Sequence, residues 1–318
     1  MLALAAPLAA AALTRAATAG GRLALLVEPA AGIAPIYRLI ASAHHSVQMT
    51  MYELADQTAE QALAADAARG VHVQVILDGS SYDRSLNQPA FDYLAAHRVA
   101  VRWAPREFDL THEKAIVVDG ARAVVMTLNL ESRYYASTRD FALIDTQPAD
   151  VRAIAATFAA DWVARPIAPQ SGSGDLLWSP GAQAAVLSLI ASARQRLDVE
   201  NEELDSAAVE SALAAAARRG VKVRLVMTFS EDWERALHAL AVAGVQERLY
   251  AASAPLYIHA KLIVVDGARA FIGSQNFSTA SLEYNRELGV VTAEAPVLAG
   301  TEATFGADFA GGHAPTDE

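Results

Sequence analysis

The sequence predicts a layered α/β fold that is built twice, and three observations carry that expectation. Short runs of apolar and β-branched residues alternate with Ala-rich runs of helical character along most of the chain, the pattern of helices covering a sheet. Segments recur: Leu39-Ile40-Ala41-Ser42-Ala43 returns at 189–193, Arg69-Gly70-Val71 at 219–221, and Ala156-Thr157-Phe158-Ala159-Ala160-Asp161 as Ala303-Thr304-Phe305-Gly306-Ala307-Asp308. A polar pattern also occurs twice, 147 residues apart: His112, Lys114, Asp119 and Asn129 correspond to His259, Lys261, Asp266 and Asn276. In each copy an acid follows the histidine by 28 positions, Asp140 in the first and Glu287 in the second.

Taken in order, residues 1–21 open with an almost pure Ala/Leu run from Leu2 to Leu13, then Ala17-Thr18-Ala19 before Gly20. That resembles an export signal with a small-residue cleavage site, but no positive charge precedes the apolar run. A dozen residues are also too few to span a bilayer, which takes about 20. Export and a cytoplasmic location stay equally open. Residues 22–165 form the first unit: strand, helix, strand, helix, strand (Val73 to Leu77), helix, the motif hairpin, a further strand and a closing helix. A Pro/Gly/Ser-rich connector, 166–176, follows. The second unit, 177–310, repeats the order, with Val223 to Met227 as the matching strand, and 311–318 reads as a loose polar tail.

Ala115-Ile116-Val117-Val118 runs into Asp119-Gly120-Ala121-Arg122 and out through Ala123-Val124-Val125-Met126; Leu262 to Val265, Asp266 to Arg269 and Ala270 to Gly273 repeat this. Two strand-like runs about an Asp-Gly signal predict a β-hairpin. A turn centred on Gly120-Ala121 sets His112 opposite Asn129 and Lys114 opposite Thr127. The second copy then sets His259 opposite Asn276 and Lys261 opposite Ser274. Directly opposed side chains lie within about 5.5 Å, so each hairpin gathers an imidazole, an ammonium, a hydroxyl and a carboxamide. A three-residue loop would break that register.

Composition bounds what such patches can do. The 318 residues are 53% hydrophobic and 19% charged, a globular balance with room for two cores. No cysteine is present, which excludes disulfides, thiolate metal sites and cysteine nucleophiles. The net charge of −11 opposes a protein that holds nucleic acid by neutralising phosphates. Metal ligation is not expected either, because a lysine shares the strand face of each motif histidine and repels cations. His44, His45, His72, His97, His238 and His313 show no ligand spacing. No cofactor is expected.

With these residues in view, the chain resembles the phospholipase D superfamily, whose signature is H-x-K-x4-D followed by G-S-x-N. The resemblance covers roughly 22–310. The second copy matches throughout (His259, Lys261, Asp266, Gly273, Ser274, Asn276), whereas the first has Met126-Thr127 in place of Gly-Ser. The resemblance implies two similar α/β/α sandwich domains with mixed sheets, related by a pseudo-two-fold axis, with one active site at their interface. It implies His112 as nucleophile and His259 as general acid, then base; the residues alone leave that order open.

The chemistry suits these residue types. Two ammonium groups, Lys114 and Lys261, offset phosphate charge, and Asn129, Asn276, Thr127 and Ser274 supply hydrogen bonds. One imidazole attacks phosphorus while the other donates a proton to the departing alkoxide. Asp140 and Glu287 are read as acceptors for the far ring nitrogens of the histidines. Asp119 and Asp266 lie about 20 Å along an extended strand from the histidines and are read as turn-stabilising groups. Among the acids and aromatics at 51–54 and 200–205, Tyr52, Glu53 or Glu203 are candidates to border the pocket. The expected substrate is a phospholipid, hydrolysed or transphosphatidylated without metal. A monomer making peripheral membrane contact is expected. A nuclease is the alternative, for which Asn276-Phe277-Ser278-Thr279 through Glu287 offers a likeness, and a non-catalytic scaffold the second alternative. A cardiolipin-synthase role ranks lower here because no stretch resembles a membrane span.

Overall fold

The structure is a computed structural model that describes residues 21–81 and 83–315; the expected export segment lies almost wholly outside them. Two mixed sheets dominate. The first runs, edge to edge, Leu23–Glu28, Thr138–Asp145, Arg122–Met126, Lys114–Val118, Ser46–Met51, His72–Leu77 and Ala100–Trp103. The second repeats that order with Leu176–Ser179, Glu287–Thr292, Arg269–Gly273, Leu262–Val265, Arg196–Glu200, Lys222–Thr228 and Gln246–Tyr250. In each, the strands joined by helices pair in parallel and the hairpin strands pair antiparallel.

Local chemistry explains the elements. The helices Gln57–Ala68 and Ala207–Arg218 are each started by an N-cap side chain, Asp56 accepting from the amides of Thr58 and Ala59, and Ser206 from that of Val209. Three helices cover the outer face of the first sheet, burying Ile36, Leu39, Ile40, Leu63 and Leu94 against Val47, Met49 and Val75. The inner faces of the two sheets share one core, in which Ala115, Val117, Val125 and Leu143 meet Leu262, Val264, Ile272 and Val290. The closing helices Pro148–Trp162 and Ala295–Gly311 seal its ends.

Three sequence expectations change. An edge strand, Ala100–Trp103 or Gln246–Tyr250, stands between the third helix and the hairpin of each half. At four or five residues each is too short to show a clear pattern. The expected tail begins inside structure: the last helix reaches Gly311, and His313 pairs antiparallel with Leu249. The hairpin register is shifted by one residue, with Val118 opposite Arg122 and Val265 opposite Arg269. The loops are therefore three residues long, with Asp119 at φ 54° and Asp266 at φ 52°, a left-handed conformation that Asp tolerates.

Candidate active site

Each histidine is positioned by a short strand pairing between the halves. Tyr257–Ile258 adds in parallel to Thr138–Arg139 of the first sheet, and the His259 amide donates to the Arg139 carbonyl at 3.2 Å. Thr111 bridges to Arg286, whose amide donates to the Leu110 carbonyl at 2.9 Å. The register sets His259 beside Asp140 and His112 beside Glu287. His112 Nδ1 lies 2.8 Å from Glu287 Oε2, and His259 Nδ1 lies 2.7 Å from Asp140 Oδ1. The carboxylates are therefore crossed: each half supplies the partner for the other half's imidazole. Both rings line one cavity of about 660 Å³.

The carboxylates are themselves fixed. Thr127 Oγ1 donates to Asp140 at 2.6 Å, while Ser281 Oγ and Asn285 Nδ2 donate to Glu287 at 2.5 and 3.2 Å. Burial alone would raise both acids, but the adjoining histidines and lysines outweigh it and hold both below the usual carboxylate range. His112 is pushed down to about 4, chiefly by burial, so its ring is neutral near pH 7. Lys114 is pushed down to about 7 by the same cause.

The remaining expected residues divide. Lys114 and Lys261 are fully buried, and each Nζ donates to the carbonyl of its own histidine, at 2.7 and 2.6 Å. Asn129 and Asn276 line the cavity, each with an unpartnered Oδ1. Thr127 and Ser274 do not face the cavity, which corrects their reading as phosphate donors. With the register shifted, Thr127 turns to Asp140 and Ser274 bonds the backbone of Leu288. Asp119 and Asp266 each accept three backbone amides, from His44, His45 and Ser46 and from Arg194, Gln195 and Arg196.

Met126 leaves the cavity unobstructed, being buried in the outer core opposite Ala142. The second half places Gly273 opposite Gly289, and the ring of Phe271 fills the space between. Val124 stands where that half has Phe271, so bulk has moved two residues along the strand.

Tyr52, Glu53 and Glu203 line the cavity, joined by Glu131, Tyr134, Tyr135, Tyr257 and Glu202. Glu53 is raised to about 9 by burial and by the neighbouring Glu131. Glu202 escaped selection from the sequence. Its carboxylate sits 2.9 Å from Lys261 Nζ and 3.4 Å from His259 Nε2. A usable signal existed: the offset of 150 between the Leu-Ile-Ala-Ser-Ala segments makes Glu202 the counterpart of Tyr52, two residues past the strand. Tyr52 packs edge-on against His112 with centroids 4.5 Å apart, while Lys114 Nζ lies over its ring.

Comparison with known proteins gives one family. The model described as "Cardiolipin synthase, PLD-like domain" matches twice, over residues 36–162 and 186–309. Cardiolipin synthase A of Serratia proteamaculans is 27% identical over 86% of this chain, which spans 66% of that relative's length. Phosphatidylserine synthase of Haemophilus influenzae superposes with a TM-score of 0.69 at 12% identity, covering 89% of this chain and 86% of that one. Polyphosphate kinase of Porphyromonas gingivalis also gives 0.69, at 14% identity, over 89% and 46% of the two chains. At such identities the likeness is one of fold. Among the described residues no helix is long and apolar enough to cross a membrane.

Proposed function

The chain belongs to the phospholipase D superfamily through two PLD-like domains, and from that membership we propose that it cleaves phospholipid phosphodiesters, passing the phosphatidyl group to water or an alcohol through a covalent phosphohistidine. The observation that carries the reading is the shared cavity, into which two halves deliver one histidine each with Nδ1 tied to a carboxylate. With Nδ1 engaged, Nε2 is the nitrogen left for chemistry.

His112 is the nucleophile. Its neutral ring supplies the lone pair, which attacks phosphorus as the bond to the headgroup oxygen breaks. His259 gives its Nε2 proton to that oxygen, and the carboxylate acceptor 3.4 Å from Nε2 suits a proton-bearing nitrogen. In the second step His259 takes a proton from water or an alcohol, whose oxygen displaces His112. Lys114 and Lys261, buried behind their histidines, offset the phosphoryl charge through the field they set up, and Asn129 and Asn276 line the cavity itself. Peripheral membrane contact and action as a monomer belong to the same proposal. The nuclease alternative is disfavoured by the Glu202 carboxylate in the cavity and by the net charge of −11, both of which repel a polyanion.

The test offers the protein phosphatidylcholine and phosphatidylglycerol vesicles, single-stranded DNA and bis-p-nitrophenyl phosphate, with EDTA present. Lipid turnover is expected to persist in EDTA. His112→Ala and His259→Ala are each expected to lower it by roughly 10⁴-fold or more. DNA nicking without lipid turnover overturns the substrate, and labelled phosphate trapped on His259 instead of His112 overturns the roles.

A further inference from the structure

Glu202 sets a carboxylate against both the lysine and the histidine of the second half. Its Oε2 is 2.9 Å from Lys261 Nζ and 3.4 Å from His259 Nε2, the two groups that would meet a bound phosphate in the second half. It faces the cavity, with 22% of its side chain exposed. Burial would raise this carboxyl, but His259 and Lys261 overcome that and hold it far below the usual range, so it is an anion. The first half carries no such group at the equivalent place. There Tyr52 presents a neutral ring to Lys114, 4.7 Å from Nζ to the centroid. Only one of two otherwise matched lysine seats therefore holds a resident carboxylate.

We propose that Glu202 is a specificity-determining residue that restricts this site to singly charged phosphodiesters by competing with phosphoryl oxygens for Lys261 and His259. The inference rests on the phosphodiester reading above and adds a rule about ligand charge. A phosphate entering the seat must displace the carboxylate, yet the carboxylate cannot go far. Its backbone is held between the strands Arg196–Glu200 and Leu204–Asp205, and the Tyr257 hydroxyl donates to Oε1 at 3.2 Å. The displaced anion therefore stays beside the ligand. It repels a doubly charged phosphomonoester about twice as strongly as a singly charged diester, because Coulomb energy scales with the product of charges. Hydrolysis of a diester yields a monoester whose second ionisation falls near pH 6, so at neutral pH the product carries close to two charges. Substrate is admitted and product is expelled by the same side chain, which returns to Lys261 when the seat empties.

Calorimetric titration of the intact protein tests this without needing turnover. Inorganic phosphate, largely dianionic at pH 8, and diethyl phosphate, a monoanion, are titrated into wild type, Glu202→Gln and Glu202→Asp. In Glu202→Gln the dissociation constant for inorganic phosphate is expected to fall tenfold or more, and that for diethyl phosphate by a clearly smaller factor. Glu202→Asp, which keeps the charge, should stay near wild type. Equal tightening for both ligands, no tightening for inorganic phosphate, or no inorganic phosphate binding to any of the proteins overturns the proposal. Should Glu202→Gln fail to fold, Tyr257→Phe frees the carboxylate from its tether. It should tighten inorganic phosphate more than diethyl phosphate, and an unchanged ratio overturns the idea. Discrimination by charge in a protein that turns over no phospholipid would instead separate the failure of the lipid reading from the success of this one.

Discussion

Asp140 and Glu287 could be picked from the sequence as histidine partners by their equal spacing, but not which imidazole each would serve. The crossing is a tertiary fact set by Tyr257–Ile258 pairing with Thr138–Arg139 and by Thr111 bridging to Arg286. Asp140→Asn and Glu287→Gln should each cut kcat by between roughly 10²- and 10⁴-fold, because an amide that fixes the wrong tautomer removes Nε2 from its task. Steady-state kinetics on folded variants reads this, and a loss confined to KM would contradict it. A pH profile offers a second check. The lowered value of Lys114 means its charge is present below pH about 7 and lost above it, while His112 loses its attacking lone pair only below about 4. Hence kcat/KM should rise through pH about 4 and fall above about 7; a profile still rising at pH 9 would refute the placement of Lys114 at the phosphate.

Elements were more legible than their registers. Asp-Gly between two apolar runs announced both hairpins, yet a single extra loop residue moved Thr127 and Ser274 out of the patch, because strand faces alternate with period two. The reason for the longer loop is the aspartate, which adopts a left-handed backbone and gathers three amides from the preceding helix–strand turn. Asp119→Ala should destabilise the protein by about 2–4 kcal/mol, from lost charge-assisted hydrogen bonds and an unfavourable φ. Urea unfolding measures this, with activity of the folded fraction preserved. The departure at Met126-Thr127 was visible in the sequence, but its compensation by Val124 in place of Phe271 was not, because it requires knowing which side chains share a face. A Cβ on Gly273 would meet the Cα of Gly289 at 2.5 Å. Gly273→Ala should therefore cost at least about 2 kcal/mol in the same assay, and a neutral result would mean that the strands separate without penalty.

At the scale of the molecule, duplication was plain in the repeats and the family resemblance implied a site at the interface of the halves, while the single core shared by the two sheets was not foreseen. The inner core draws residues from both sheets, and a buried ion pair ties the closing helix of one half to the residue that leads into strand Glu287–Thr292 of the other, Arg286 Nη2 meeting Asp161 Oδ1 at 3.0 Å beneath the ring of Phe108. Polar groups so deeply placed are seldom foreseen from sequence, since Asp161 reads as an ordinary helix-end acid. Arg286→Ala strands a buried carboxylate and should cost about 3–5 kcal/mol. Calorimetry of the wild type should give a single transition whose van't Hoff and calorimetric enthalpies agree; two separable transitions would argue that the halves are independent bodies.

Exchange of parts between homologues would expose what the crossed pairs demand. An Asp serves one imidazole and a Glu the other, differing in reach by one methylene, so a transplanted N-terminal repeat brings along an acid cut to fit a ring it leaves behind. Recombinants joined between the repeats should recover activity only when the acceptor lengths on both sides agree, which makes positions 140 and 287 inherit as a matched set with 259 and 112 rather than with their own strands.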